Sequence, residues 1–291
     1  MRILSIQSAV AYGHVGNSAA VFPLQRLGHE VWPVHTVLFS NHTGYGAWRG
    51  PVIPGPDVHE VILGMEERGA LGQVDLVLSG YQGSPAIGAV VVDAVTRVKA
   101  ANPDAAYACD PVMGNARSGC FVDPAIPDLL RDDVVPRADV ITPNQFELGQ
   151  LTGTSLTATL DGDGSPDLEE ILAAADAARA MGPATVLVTS VEPVGEPEDT
   201  IGMIAVTADG AWSVRTPRLP MKANGSGDVT AALFSAHLRE TDPATALART
   251  ASSVFDLLDN TLAAGSRELL LVESQTTYAE PRLQFEVARV R

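Results

Sequence analysis

The chain has 291 residues, with 19 Lys and Arg against 35 Asp and Glu, and a formal net charge of −16 at pH 7. That balance excludes the basic stripe a nucleic-acid partner needs, and no apolar run approaches membrane-spanning length. Two cysteines, Cys109 and Cys120, support neither a disulfide framework nor a cysteine-rich zinc site.

The N-terminal Met1-Arg2-Ile3-Leu4-Ser5-Ile6 enters strand-like sequence without a signal-peptide pattern, so a cytoplasmic location is expected. Ile3 to Gln7 is the first strand, and helical spacing follows from Val15 to Leu27 after the turn Tyr12-Gly13-His14. Val31 to Phe39 is strand-like, with Pro33 marking an edge or an irregular start. Val58 to Arg68 is helical, Val74 to Ser79 is a buried strand, Ile87 to Lys99 is helical, and Ala106 to Asp110 is a strand closed by Pro111. Asp139 to Thr142 predicts a short strand, Asn144 to Leu151 a helix after Pro143, Leu168 to Met181 an amphipathic helix and Thr185 to Thr189 a strand. Ile201 to Val206 and Trp212 to Thr216 form a hairpin through Asp209-Gly210, and two helices follow, Asp228 to Leu238 and Pro243 to Ala263. This alternation predicts an α/β fold with a mainly parallel sheet covered on both faces, in one domain spanning 1–291. In such folds ligands bind beyond the carboxyl ends of the strands, which directs attention to the strand exits.

The most informative run is Asn224-Gly225-Ser226-Gly227-Asp228, followed at once by an apolar helix. A helix start leaves backbone N–H groups unpaired and carries positive partial charge, and glycines let backbone curl closely around a phosphate. Asp228 then stands at the mouth of an anion hole, placed to accept a proton from an attacking hydroxyl. Taken alone, the motif describes an ordinary glycine turn with an Asp cap at least as well. With only two lysines, Lys99 and Lys222, an acidic chain must handle phosphate through backbone amides and a divalent metal. Lys222, just before the turn, is either a phosphate contact or a solvated loop residue.

Further polar motifs collect at the strand exits. Asp110 lies in Cys109-Asp110-Pro111-Val112-Met113-Gly114, and Asn144 and Glu147 lie one helical turn apart in Thr142-Pro143-Asn144-Gln145-Phe146-Glu147. Asp110 and Glu147 together suit Mg²⁺, directly or through water. Judged locally, Asn144 and Glu147 form a capping box. The two jobs are compatible. The acidic stretch 161–165 faintly resembles a calcium loop but lacks its downstream glutamate, so a solvated loop is expected.

In this order, Asp-Pro-Val-Met-Gly, Asn-Gln-Phe-Glu after Thr-Pro, and Gly-Ser-Gly-Asp resemble the ribokinase superfamily. Within it, the blocks Ile6-Gln7-Ser8, Tyr12 to Ala20, Phe39 to Gly46 and Ser79 to Ser84 resemble the pyridoxal kinases, over residues 1 to about 260. The resemblance implies a ribokinase-like three-layer α/β/α sandwich that phosphorylates the 5′-hydroxymethyl group of vitamin B6 vitamers with ATP, Mg²⁺ and a monovalent cation, K⁺. It implies Asp228 as general base and Gly225, Ser226 and Gly227 as the anion hole. Ser8, Thr43, Gly44 and Tyr81 would form the vitamer pocket, while Asp110, Asn144 and Glu147 serve Mg-ATP. Thr142 and Thr189 would contact phosphates, and Pro217, Arg218 and Leu219 would lie over the nucleotide. A homodimer is expected on the same ground.

Asn115 stands where many relatives carry aspartate, which removes any charge role there. Cys120, in a segment that forms a flap in relatives, is open to two readings, a thiol adding to the aldehyde of pyridoxal or a free loop cysteine. No inserted strands sufficient for a full β lid are evident, so closure falls to the flap and a neighbouring subunit. Two alternatives are a hydroxymethylpyrimidine kinase, which shares fold and base, and a non-catalytic protein that binds vitamin B6.

Overall fold

The computed structural model describes residues 1–156 and 166–291; the acidic stretch 161–165 lies outside the described residues. The strands are β1 (Arg2–Tyr12), β2 (Glu30–Asn41), β3 (Leu76–Ser79), β4 (Ala106–Cys109), β5 (Gly114–Asn115), β6 (Gly119–Cys120), β7 (Val140–Ile141), β8 (Thr185–Val191), β9 (Thr200–Thr207), β10 (Gly210–Pro217) and β11 (Val287–Arg289). The helices are α1 (Asn17–Arg26), α2 (Gly55–Glu67), α3 (Pro85–Ala101), α4 (Ile126–Leu129), α5 (Gln145–Thr152), α6 (Leu168–Ala180), α7 (Ser226–Leu238), α8 (Pro243–Ala263) and α9 (Gln275–Ala279). The main sheet runs β11-β10-β9-β8-β7-β4-β3-β1-β2. It is parallel from β2 to β8 and antiparallel from there to β11.

The period-two alternation of the strands sorts their side chains into two apolar layers. Leu4, Ile6, Val77, Tyr107, Ile141, Val186 and Val188 pack with Val58 and Ile62 of α2, Val91 and Val95 of α3, Leu148 of α5 and Ile171 of α6. Ile3, Leu76, Leu78, Ala106, Ala108, Val140 and Leu187 pack instead with Leu24 of α1, Phe234 of α7 and Leu247 of α8. Helices therefore cover both faces, as the alternating pattern predicts. Helix α7 is buried from Val229 to His237, because a further apolar layer joins it to α1 and to Leu257 of α8, Leu269 and Tyr278.

Two strands exceed their expected length. β1 continues past Gln7 to Tyr12, and β2 runs from Glu30 to Asn41, while β3 and β4 have four residues each. Beyond a register shift between Gln7 and Ala9 the two long strands pair with each other outside the rest of the sheet and project past it. Residues 49–53 turn back along β2, with Leu38 N–H donating to Pro51 O and Ser40 N–H to Arg49 O. Pro33 does lie on an edge strand, as read from the sequence. The C-terminal β11, which local pattern does not announce, is three residues long and pairs with Trp212 to Val214.

Candidate active site

The sheet reverses its winding at β1, which lies between β2 and β3; in open α/β sheets such a switch point opens a crevice at the carboxyl ends. A cavity of about 560 Å³ lies there. Each parallel strand delivers residues to it on leaving the sheet. β1 brings Ser8 and Val10, β2 leads to Thr43 and Gly44, β3 to Tyr81, β4 to Asp110, β7 to Thr142 and Asn144, and β8 to Thr189 and Ser190. The opposite wall is the turn Asn224 to Asp228 at the start of α7.

That turn, like the starts of α1, α2 and α3, carries no side-chain cap. Asn144, Asp167 and Asp242 cap α5, α6 and α8 through their side chains, whereas α7 begins at Gly225 with no side-chain cap. Ser226 Oγ donates back to Ala223 O at 3.0 Å, so the first N–H groups of α7 remain available to an anion from the cavity. Gly225 has φ +89, and a Cβ there would lie 1.9 Å from His14 O, so glycine is required by the fold itself. Gly227 is different: a Cβ would meet nothing within 4 Å. Its lack of a side chain keeps cavity space open rather than relieving a protein contact.

Glu147 is buried and holds both ends of a local scaffold. Its Oε1 accepts from Met113 N–H (2.9 Å) and Gly114 N–H (3.2 Å), and its Oε2 accepts from Asn144 N–H (3.0 Å). Asn144 Oδ1 accepts from Glu147 N–H at 2.9 Å, completing the capping box. Three backbone donors fill most of this carboxylate's acceptor capacity, which leaves Asp110 as the freer one. Asp110 Oδ1 accepts from Thr142 Oγ1 at 3.1 Å.

Asp110, Glu147 and Asp228 are near enough for their charges to couple. Burial, then the charges of Glu147 and Asp228, hold the Asp110 carboxyl well above its ordinary range. Burial pushes Glu147 up to about 7 against its backbone donors, and burial raises Asp228 to about 6 although the Gly16 and Asp228 N–H groups favour its charged form. A carboxylate in this range is poised to take up a proton near neutral pH. Among the described residues no group of three or more His, Cys, Asp or Glu side chains is arranged to hold a metal ion.

Comparison with known proteins bears on this geometry. A family model described as phosphomethylpyrimidine kinase matches residues 73–269. A pyridoxal kinase of Leifsonia xyli subsp. xyli is 70% identical over 292 residues, covering 100% of both chains. The chain belongs to the pyridoxal kinase family. A pyridoxal kinase of Corynebacterium diphtheriae is 64% identical, again over 100% of each chain. The solved pyridoxal kinase of Leishmania donovani in complex with ADP and pyridoxamine superposes with a TM-score of 0.91 at 27% identity, covering 100% of this chain and 99% of that one. The fold is the ribokinase-like one shared by these kinases.

Most residues that the family resemblance singles out line the cavity: Ser8, Thr43, Gly44, Tyr81, Asp110, Thr142, Asn144, Glu147, Thr189 and the run Gly225 to Asp228. Others do not reach its wall. Cys120 is exposed on β6, and its neighbours Ser118 and Phe121 face the cavity in its place. Pro217, Arg218 and Leu219 also lie outside the wall; Arg218 pairs with Glu192 at 2.8 Å and donates to the Glu198 and Thr200 carbonyls. That engagement ties it to the loop between β8 and β9. Asn115 uses Oδ1 to accept from the Arg117 and Ser118 N–H groups and shapes the β5–β6 turn.

Lys222 reaches the wall, as do Ser190 at the β8 strand exit, Phe121 of the flap segment and Met221, which no motif had marked. Ser190 is the only non-glycine residue of positive φ (+55) among the described residues. Its strain at the cavity rim is the signal a backbone offers and a sequence does not.

Proposed function

We propose that this chain, acting as one kinase domain over 1–291, transfers the γ-phosphoryl group of ATP to the 5′-hydroxymethyl group of pyridoxal, giving pyridoxal 5′-phosphate. The observation that carries the reading is the uncapped start of α7, with Asp228 beside it, facing a cavity lined by the family's vitamer residues. Ser8, Thr43, Gly44 and Tyr81 hold the pyridine ring in this reading, and Asn144, Thr142 and Thr189 hold the nucleotide. The N–H groups of Ser226 and Gly227 receive the charge that develops on the transferring phosphoryl oxygens. Asp228 accepts the hydroxyl proton as the new P–O bond forms.

The donor set fits Mg²⁺, which reaches kinase sites on phosphate oxygens and needs only one or two protein carboxylates. Asp110 would hold it directly, and Glu147, already engaged by three N–H groups, would act through water. Bound there, the ion would neutralise phosphate charge that an acidic protein otherwise repels. K⁺ enters on the family resemblance alone, and no side chain is assigned to it. Pyridoxine and pyridoxamine belong to the same substrate class. A cytoplasmic location suits a chain whose two cysteines are both free.

The rival reading is hydroxymethylpyrimidine phosphorylation, which the description of the matching family model keeps in view. Relatives of 64–70% identity named pyridoxal kinase favour the vitamin B6 reading. A coupled ADP-release assay with Mg-ATP and K⁺, offering each vitamer and hydroxymethylpyrimidine separately, decides it. Preferred turnover on pyridoxal is expected. Preference for the pyrimidine would move the substrate and leave the chemistry, and vitamer binding without ADP release would point to a binding protein.

A further inference from the structure

Glu268 lies far along the chain from every motif above, in the segment between α8 and α9, and its side chain is only 12% exposed. Its carboxylate is the meeting point of three segments. Oε1 accepts from His42 Nε2 (3.0 Å) and from Tyr45 OH (2.5 Å), both in the turn that follows β2 and carries Thr43 and Gly44. Oε2 accepts from His14 N–H at 3.2 Å, in the turn between β1 and α1. Arg267, the preceding residue, stacks its guanidinium 3.8 Å above the Tyr45 ring centroid. The fit is close on the other side as well: Gly13 has φ +87, and a Cβ there would lie 2.2 Å from Glu268 Oε2. His14 in turn presses its carbonyl against Gly225, where any Cβ would stand 1.9 Å from it. One carboxylate thus ties together the two turns, 13–14 and 42–45, on the vitamer side of the cavity.

Glu268 also decides the state of a cavity-lining imidazole. Burial opposes its charge, but hydrogen bonds from Tyr45 and His42 hold its carboxyl below the usual range, so it is ionised at neutral pH. Facing an ionised acceptor, His42 Nε2 must carry a proton. His42 is 5% exposed, and its Nδ1 is buried with no protein partner. In the neutral ring that buried nitrogen is an unpaired acceptor on a residue that lines the cavity.

We infer that Glu268 is a positioning residue for the vitamer: it orients His42 with Nδ1 as acceptor and braces the turns 13–14 and 42–45 that shape the ring pocket, without touching the nucleotide side. This rests on the pyridoxal kinase reading. It predicts a loss confined to one substrate, because Asn144, Thr189 and Asp110 make no contact with Glu268 among its hydrogen bonds.

The test is steady-state kinetics of full-length Glu268→Ala, Glu268→Gln and Tyr45→Phe, with hydrogen-exchange mass spectrometry on the same proteins without substrate. Losing bonds to a charged acceptor should raise KM for pyridoxal about ten-fold or more in Glu268→Ala, with KM for ATP within about two-fold of wild type. Glu268→Gln should fall between, because an amide keeps an acceptor for one turn but presents a donor to the other. Tyr45→Phe, which leaves the His42 and His14 bonds, should show the smallest rise and covers the case that Glu268→Ala fails to fold. Exchange should quicken in peptides covering 13–18 and 42–46 and stay unchanged across α5 and β8. An unchanged KM for pyridoxal in Glu268→Ala would overturn the inference, as would equal rises in both KM values. If wild type does not turn over pyridoxal, the functional reading fails on its own, while the exchange pattern still reports whether the brace exists.

Discussion

Asp228 is a residue whose charge the folded chain opposes, and it is the one the chemistry needs. Its folded pKa of about 6 exceeds the ordinary carboxylate value. Between those two values the folded state binds the extra proton, so stability falls as pH rises toward 6 and the full penalty remains above it. Its charge also raises Asp110 and Glu147. Asp228→Asn is therefore expected to raise the melting temperature at pH 7.5, by the equivalent of about 1 to 3 kcal/mol, as it disables turnover. A lower melting temperature in that variant would show the charge to be structurally supported. The same pKa sets the activity profile: kcat/KM should decline as pH drops through about 6, because the base is then protonated. Gly227→Ala makes the complementary point. A Cβ meets no protein atom, and alanine favours a helix interior by roughly 1 kcal/mol, so the fold should keep or gain stability. Yet the methyl enters the space assigned to phosphate, so KM for ATP should rise and kcat fall. Retained kinetics would place the phosphoryl group elsewhere. At this scale the sequence displayed many of the cavity-lining residues, since glycine turns and carboxylates at strand exits are local signals. Glu268 was invisible because its meaning lies in partners more than 200 positions away.

Helix α5 shows how an element can be legible while its purpose is not. The Asn144 and Glu147 capping box was readable from spacing alone, and its geometry is as expected. Spacing did not show that Glu147 also gathers the Met113 and Gly114 N–H groups, which come from a loop over 30 residues earlier. The consequence is opposite in sign to that for Asp228. Glu147→Ala removes a cap and leaves buried donors unpaired, so it should destabilise the fold by about 2 kcal/mol or more. Chemical denaturation of the two single variants side by side reads both signs. A stabilised Glu147→Ala would mean that relief of charge crowding outweighs the lost hydrogen bonds. Strand lengths were the other blind spot. β1 and β2 outrun the periodic apolar pattern because their distal halves pair with each other and with the returning segment 49–53 rather than with the rest of the sheet. β11 is too short to leave a pattern and exists through its register with β10.

The whole molecule combines a strongly acidic surface with a local patch of apolar side chains. Tyr12, Leu38, Trp48 and Val52 are 44–61% exposed on the projecting ends of β1 and β2 and the segment that returns along β2. We assign this patch to the second copy of the expected homodimer, since clustered exposed aromatic and aliphatic groups mark contact surfaces. Leu38→Asp should shift sedimentation toward monomer, and a monomeric wild type would remove the assignment. The alternation of strands and helices made the layered α/β architecture readable throughout, and the parallel sheet placed the cavity where the carboxyl-end rule expects it. The account's central claim is that this cavity transfers phosphate to the vitamer through Asp228. Its most direct test is to measure pyridoxal affinity by calorimetry and turnover with Mg-ATP in wild type and Asp228→Asn under one set of conditions. The account predicts affinity within a few-fold and turnover lower by about a thousand-fold. Near-normal turnover in the variant would contradict it.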